Sequence, residues 1–259
     1  MIRELKRPRS FYERLFRLTA PIALQNLITF SLGLIDTLMV SQLGNNEMAA
    51  VKTANVPVFL LISIVFGVQS GVGILISQYW GKRDHQNISR AIGVAAGLGV
   101  GLALVIALAL FFWPVQIMDL MSNEHQLSVL GAPYLRIIGF AYYTFGISNT
   151  IICTLRGIEV VRISVIVNLA SLFTNVFLNW VLIFGNLGAP ALGIRGAAIA
   201  TLCARLLEFV ITIVYLFFID KRLQFRLRDL LHFHKTLASD LLRCGTPVVI
   251  NELAWSLGI

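Results

Sequence analysis

Charged residues are scarce in this chain. Lys and Arg number 21 and Asp and Glu 13 in 259 residues, 13% in all, where a soluble domain carries about 25%. Cysteine occurs only at Cys153, Cys203 and Cys244. All three lie in apolar stretches and no two share a ligand spacing, so buried thiols are expected, not disulfides or a thiolate metal site. Histidine occurs four times, never in the His–Glu pattern of a metallohydrolase, and no serine nucleophile motif is present. No enzymatic activity and no cofactor are expected.

Apolar residues fill the space that charge leaves. They make up 57% of the chain, with a mean hydropathy of +0.80. A helix needs about 20 apolar residues to cross a bilayer. Six such stretches are visible, at 19–40, 57–79, 91–113, 133–154, 163–185 and 196–219, and a seventh begins near Leu241. The first follows a basic tail, is too long for a signal-peptide core and lacks a small-residue cleavage site, so it is expected to stay as a membrane span. The fold class is an all-α, polytopic membrane bundle.

A net charge of +8 in a soluble protein would point to nucleic acid. Here topology explains it and no nucleic-acid partner is expected. The tail holds Arg3, Lys6, Arg7, Arg9, Arg14 and Arg17, and the second loop holds Lys82, Arg83 and Arg90. The fourth holds Arg156 and Arg162, and the segment before the seventh span holds Lys221, Arg222, Arg226, Arg228, Lys235 and Arg243. The intervening loops hold only Lys52, then Asp119 and Glu124, then Arg195. Every second loop is basic, which places the N-terminus in the cytoplasm.

Three units follow: a six-helix lobe over 1–219, a cytoplasmic linker over 220–241 and the start of a second lobe over 242–259. Within the linker Leu223, Leu227, Leu230 and Leu231 recur at helical spacing, as in a helix lying along the membrane surface. His232 and His234 there read as solvated residues, with a metal site as the alternative. The seventh span loosely echoes the first: Arg17 and Pro21 lie over Arg243 and Pro247, Gln25-Asn26-Leu27 over Asn251-Glu252-Leu253, and Ser31-Leu32-Gly33 over Ser256-Leu257-Gly258. Six spans is an even number, so two such halves would enter the membrane with one orientation, as parallel repeats do. The chain is therefore expected to be the first part of a twelve-span protein, unable to transport alone and monomeric once a C-terminal lobe is present.

Polar residues inside the spans are the candidate functional groups. A carboxylate at mid-bilayer costs about 2.5–3.5 kcal/mol. Asp36 lies toward the outer end of span one and shares a helix face with Gln25 and Thr29. It lines a cavity or snorkels to the outer interface. In span five Ser164, Asn168, Ser171, Asn175 and Asn179 fall at steps of four, three, four and four on one face. That stripe either lines a cavity opposite Asp36 or forms interhelical hydrogen bonds. Arg205 and Glu208 in span six read as a mutually neutralising structural pair, with Thr201 a turn away. Gln69 is a further candidate for the cavity wall. Gly67, Gly71 and Gly73 in span two, and Gly93, Gly97 and Gly101 in span three, permit close helix contact, and Gly97 with Gly101 makes a GxxxG step. Pro21, Pro57 and Pro247 are expected near span starts.

Several runs together resemble one family. They are Asp36-Thr37-Leu38-Met39-Val40-Ser41-Gln42-Leu43-Gly44 after Pro21, Ile76-Ser77-Gln78-Tyr79-Trp80-Gly81-Lys82-Arg83-Asp84, Tyr134-Leu135-Arg136, Leu155-Arg156-Gly157, Asn175…Asn179…Ile183-Phe184-Gly185, and Leu192-Gly193-Ile194-Arg195-Gly196-Ala197-Ala198-Ile199-Ala200-Thr201. In order and spacing they resemble the multidrug and toxic compound extrusion (MATE) transporters, whose fold is two six-helix bundles around a central cavity.

The resemblance implies an antiporter in the cell membrane that expels cationic small molecules in exchange for protons or sodium ions. It implies that Asp36 is the carboxylate that binds the coupling cation, with sodium one candidate ion there, and that Asn175, Asn179 and Thr201 stand beside it. Glu252 matches a seventh-helix acid implicated in sodium binding in some members. Gln25, Thr29, Asn168 and Gln69 are expected in the substrate cavity. Archaeal members place an acid where this chain has Asn179, so the chain resembles the bacterial type. The usual Gly-Asp-x-x-x-Pro run after Arg156-Gly157 is replaced by Ile158-Glu159-Val160-Val161-Arg162. The alternative within the superfamily is a lipid-linked saccharide flippase, against which the single, already paired Arg205 argues. A non-transporting scaffold would gain nothing from a buried carboxylate facing asparagines.

Overall fold

The computed structural model describes residues 9–122, 124–220 and 235–256. They form eight α-helices: α1 (Arg9–Ser41), α2 (Asn45–Gly81), α3 (His85–Phe112), α4 (Pro114–Asp119), α5 (His125–Gly157), α6 (Arg162–Phe184), α7 (Ile194–Val214) and α8 (Lys235–Ser256). A π-helical turn, Tyr215–Ile219, extends α7. Among the described residues, α1, α2, α5, α6 and the helix Ile194–Ile219 are long and apolar enough to cross a membrane. The third expected span lies on α3, and the seventh on α8. The leucines and histidines of the expected surface helix fall outside the described residues, and α8 begins at Lys235, inside the range read as linker.

The helices outrun the spans seen in the sequence, because apolar counting detects only the part that sits in lipid. This corrects the placing of the prolines. Pro21, Pro57 and Pro247 are interior to α1, α2 and α8, and Pro133 is interior to α5. Each removes one backbone donor, a defect that membrane helices tolerate when neighbours re-satisfy the freed carbonyl.

The bundle is built around α5, which packs against α2, α3, α4 and α7, while α6 packs against α1 and α7. Buried apolar side chains gather in two clusters. One surrounds the α2–α3 and α5–α6 turns and includes Ile76, Ile88, Ile152, Leu155, Ile158 and Leu241. The other gathers Val40, Leu61, Leu110, Met118, Leu135 and Ile183 near the opposite turns. The two basic turns thus lie at one end. They are built alike: α2 ends through Arg83 at φ 58° and α5 through Glu159 at φ 65°. Each is closed by a backbone bond, Asp84 N to Tyr79 O at 2.9 Å and Val160 N to Leu155 O at 2.8 Å. Asp84 then caps α3, accepting from Asn87 N at 3.1 Å.

Outward faces are apolar rows at helical spacing: Leu27, Phe30, Leu34 and Leu38 on α1, Phe173, Phe177 and Trp180 on α6, and Leu206, Val210 and Val214 on α7 with Phe217 on its π-helical extension. In water such rows would be anomalous; in lipid they are solvated. Cys153, Cys203 and Cys244 are free and half-buried, less enclosed than expected.

Two contacts hold the bundle without relying on apolar burial. Arg205 and Glu208 on α7 form a buried ion pair at 2.7 Å, with side chains 6% and 1% exposed. The Arg205 guanidinium carbon also sits 4.3 Å from the centre of the Phe145 ring on α5. The second contact is between α2 and α8. A Cβ on Gly71 would lie 2.6 Å from the Leu241 carbonyl oxygen, and one on Gly245 would lie 2.5 Å from that of Gly67. The GxxxG step on α3 is different: Gly97 and Gly101 have nothing within 4 Å of a Cβ, and Gly99 is the residue that meets Val68 on α2, at 3.3 Å. The motif spacing selected the wrong face of α3.

Glu208→Gln should destabilise the purified protein by about 3–5 kcal/mol, because it strands a buried guanidinium. The double change Arg205→Met with Glu208→Leu should recover most of that loss. Gly71→Ala should cost about 1–3 kcal/mol by overpacking, whereas Gly97→Ala should cost nothing. Thermal unfolding midpoints in one detergent check all four.

Candidate functional site

The stripe on α6 faces α1. Ser164, Asn168, Ser171, Asn175 and Asn179 are all buried, since the steps of three and four keep them on the side away from Phe173, Phe177 and Trp180. On α1, Gln25 is buried, and Thr29 donates to Asn168 Oδ1 at 3.1 Å and to its own helix at Gln25 O, 3.0 Å. Higher on the seam Asn179 Nδ2 donates to Asp36 Oδ1. An ionised carboxylate can only accept, so it dictates that the amide turns its nitrogen inward. The same nitrogen reaches Asn175 Oδ1 at 3.0 Å, and Asn175 Nδ2 donates to Thr201 Oγ1 on α7 at 3.2 Å. One hydrogen-bonded chain therefore links α1, α6 and α7.

Three buried oxygens on this seam have no partner among the described residues: Gln25 Oε1, Ser171 Oγ and Asn179 Oδ1. Buried polar atoms are usually satisfied, so their concentration on one seam marks a place where the network has unused accepting capacity.

Asp36 opens onto a cavity of about 280 Å³. Thr29, Asp36, Asn55, Tyr142, Thr201 and Arg205 are among its lining residues. Tyr134 donates to Asn55 Oδ1 at 3.2 Å, fixing that wall. Arg205 presents a positive charge to the cavity that Glu208 balances from behind. Among the described residues no three His, Cys, Asp or Glu side chains cluster as a metal site would require.

The structure brings Asp36, Asn175, Asn179 and Thr201 together, with Thr29 on the cavity wall and Asn168 and Gln25 on the adjoining seam. It does not bring Gln69 or Glu252 there. Gln69 accepts from Asn149 at 2.8 Å and lines a separate cavity with Glu252 between α2, α5 and α8. Gln69 lies farther along α2 than Asn55, which does border the Asp36 cavity, and Glu252 is on α8, which packs against α2 and α3; no spacing argument could show either placement. Asn55, Tyr134 and Tyr142 were not anticipated. An asparagine near a helix start and tyrosines in an apolar run carry no periodic signal. Arg205 was anticipated as a structural partner of Glu208, and it has the additional position on the cavity wall.

Comparison with known proteins places this geometry in context. The chain is 29% identical over 255 residues to the uncharacterized transporter YisQ of Bacillus subtilis, covering 98% of this chain and 55% of that protein. It is 29% identical over 260 residues to the probable multidrug resistance protein YoeA of the same organism, covering 99% and 56%. The chain thus spans about half the length of these relatives. Among solved structures, a MOP superfamily transporter from Pyrococcus furiosus superposes with a TM-score of 0.85 at 22% identity, over 94% of this chain and 53% of that one. At that identity the likeness is one of fold. The family model described as MatE matches residues 21–181, more than half of the chain, which therefore belongs to that family, the multidrug and toxic compound extrusion (MATE) transporters.

Proposed function

We infer that this chain forms the first lobe of a cell-membrane antiporter that exports organic cations, with Asp36 as the group that exchanges a coupling cation for the substrate. The observation that carries the reading is the Asp36 carboxylate, held by the Asn179 amide at the wall of a cavity. In a lipid-embedded bundle such a group is costly and marks an ion or substrate path. The basic turns at one end of the bundle, carrying Lys82, Arg83, Arg156 and Arg162, support a cytoplasmic N-terminus.

We take a proton as the coupling ion, the simpler case for a single carboxylate; sodium, which takes an oxygen shell, would draw on the same Asp36 and on Asn179 Oδ1, which has no partner. Protonating Asp36 gives it an O–H to donate while its other oxygen still accepts. With the proton on Oδ1, the oxygen that Asn179 faces, the amide rotates so that its own Oδ1, which has no partner, accepts from the acid. That rotation withdraws the bond to Asn175 and so reaches Thr201. It also removes the negative charge that attracts a cationic substrate, so proton uptake and drug release are coupled. Each pH unit across the membrane supplies about 1.4 kcal/mol per proton. A one-for-one exchange with a monovalent cation moves no net charge and draws nothing from the membrane potential.

Asp36→Asn in the full-length transporter should reduce efflux of a cationic dye by at least about tenfold, the scale of one lost charged contact, while expression at the membrane persists. Efflux from everted vesicles should follow an imposed pH gradient. Unchanged efflux in the variant removes Asp36 from the mechanism, and a response to a sodium gradient alone assigns the coupling to sodium.

A further inference from the structure

Arg205 is a buried charge that cation exchange at Asp36 does not use, yet it stands on the wall of the same cavity. Three contacts hold its guanidinium in place. Nη1 donates to Glu208 Oε2 at 2.7 Å. The guanidinium carbon lies 4.3 Å from the centre of the Phe145 ring and 5.7 Å from that of Tyr142, both within cation–π reach. Thr201 and Arg205 are four residues apart on α7 and both line the cavity. One face of α7 therefore presents the end of the hydrogen-bonded chain and a fixed cation to the same space.

The charges around that space are uneven. Among its described lining residues Asp36 is the one acid, while Lys52 and Arg205 are both bases. Glu208 neutralises Arg205 from within the bundle; it is buried and does not line the cavity, so it offers nothing to a solute. Lys52 is exposed and its ammonium can turn to water. Arg205 cannot leave the wall without stranding Glu208 as an unpaired buried charge. A solute's first positive charge is met by Asp36. A second finds no further acid on this wall and a guanidinium that keeps its place. Like charges brought together reject a partner that otherwise fits, and the repulsion is stronger away from bulk water.

We propose that Arg205 is a specificity-determining residue that restricts this cavity to solutes with one positive charge by repelling a second. The proposal rests on the exporter reading and narrows its substrates from organic cations to monovalent ones.

Ethidium and propidium share a phenanthridinium ring, and propidium carries a second, quaternary ammonium charge on its side chain. Binding of each to the purified protein in lipid nanodiscs, followed by fluorescence anisotropy against empty nanodiscs, gives a ratio of affinities. Differences of size and lipophilicity between the dyes cancel when that ratio is compared between variants. Arg205→Met with Glu208→Leu removes both charges without stranding either. It should lower the preference for ethidium by about tenfold or more, the scale of one like-charge contact. Ethidium should still bind, which shows that the variant is folded. Arg205→Gln with Glu208→Gln, which leaves amides in place of the charges, should do the same. Arg205→Lys should keep the preference of the unmodified protein, because charge is what repels. Asp36→Asn should weaken both dyes and leave their ratio intact. Failure of the cation-exchange reading is thus seen in Asp36→Asn, as unchanged binding of both dyes, and failure of this one in the ratio. An unchanged preference in both double variants, a preference lost in Arg205→Lys, or no binding of either dye to the unmodified protein would each overturn the proposal.

Discussion

A carboxylate on a helix that faces lipid must find its donors inside the protein, and that constraint orders the α1 side of this bundle. Asp36 stands on a largely apolar helix and faces the cavity and α6. The donor it finds is Asn179, and Asn179 stands on a stripe whose other members continue the contact down to Asn168 and Thr29. The rotation of α6 about its axis is thereby fixed. Its polar side turns to α1 and α7, and Phe173, Phe177 and Trp180 turn to the acyl chains. The same orientation delivers Asn175 to Thr201, so the packing of α7 follows from where the charge on α1 must be satisfied.

Helices in lipid gain little by hiding apolar side chains from one another, since the tails are as apolar as leucine. Each major interface here uses a different substitute. The α1–α6 interface is a hydrogen-bonded seam. The α2–α8 interface is a close approach of backbones through Gly67, Gly71 and Gly245. The α5–α7 interface carries the Arg205 guanidinium above the Phe145 ring, with Glu208 neutralising it. Clusters of buried aliphatic side chains, running from the turns to the middle of α2 and α5, supply the ordinary packing.

The parts of this structure that were legible in the sequence are those governed by period. Runs of apolar residues located the membrane helices, and the three–four steps from Ser164 to Asn179 put those five side chains on one buried face before any contact was known. Alternation of basic loops matches the gathering of the Lys82–Arg83 and Arg156–Arg162 turns at one end. What stayed hidden is what depends on a partner distant in the chain. The Tyr134–Asn55 bond joins residues 79 apart, and Arg205 faces the same cavity as Asp36 without any local signature. Helix ends were missed because polar turns outside the lipid continue a helix that hydropathy stops counting. The glycine step on α3 was misread because spacing identifies a smooth face but not the neighbour that uses it.

The magnitudes bear on whether a single proton can move such a network. A hydrogen bond to a charged group is worth about 1.5–3 kcal/mol, and a neutral interhelical bond in a membrane about 0.6 kcal/mol on average. On the proposed reading, protonating Asp36 cancels one bond of the first kind and reroutes one of the second. That total is close to the work of one proton crossing one to two pH units, about 1.4 kcal/mol each. A stronger anchor, such as a lysine paired directly with Asp36, would hold the carboxylate ionised beyond the reach of an ordinary gradient. A weaker one would leave it protonated on both sides of the cycle. On the proposed reading, an asparagine whose second atom is unoccupied falls between those limits, because it can satisfy either protonation state by a rotation.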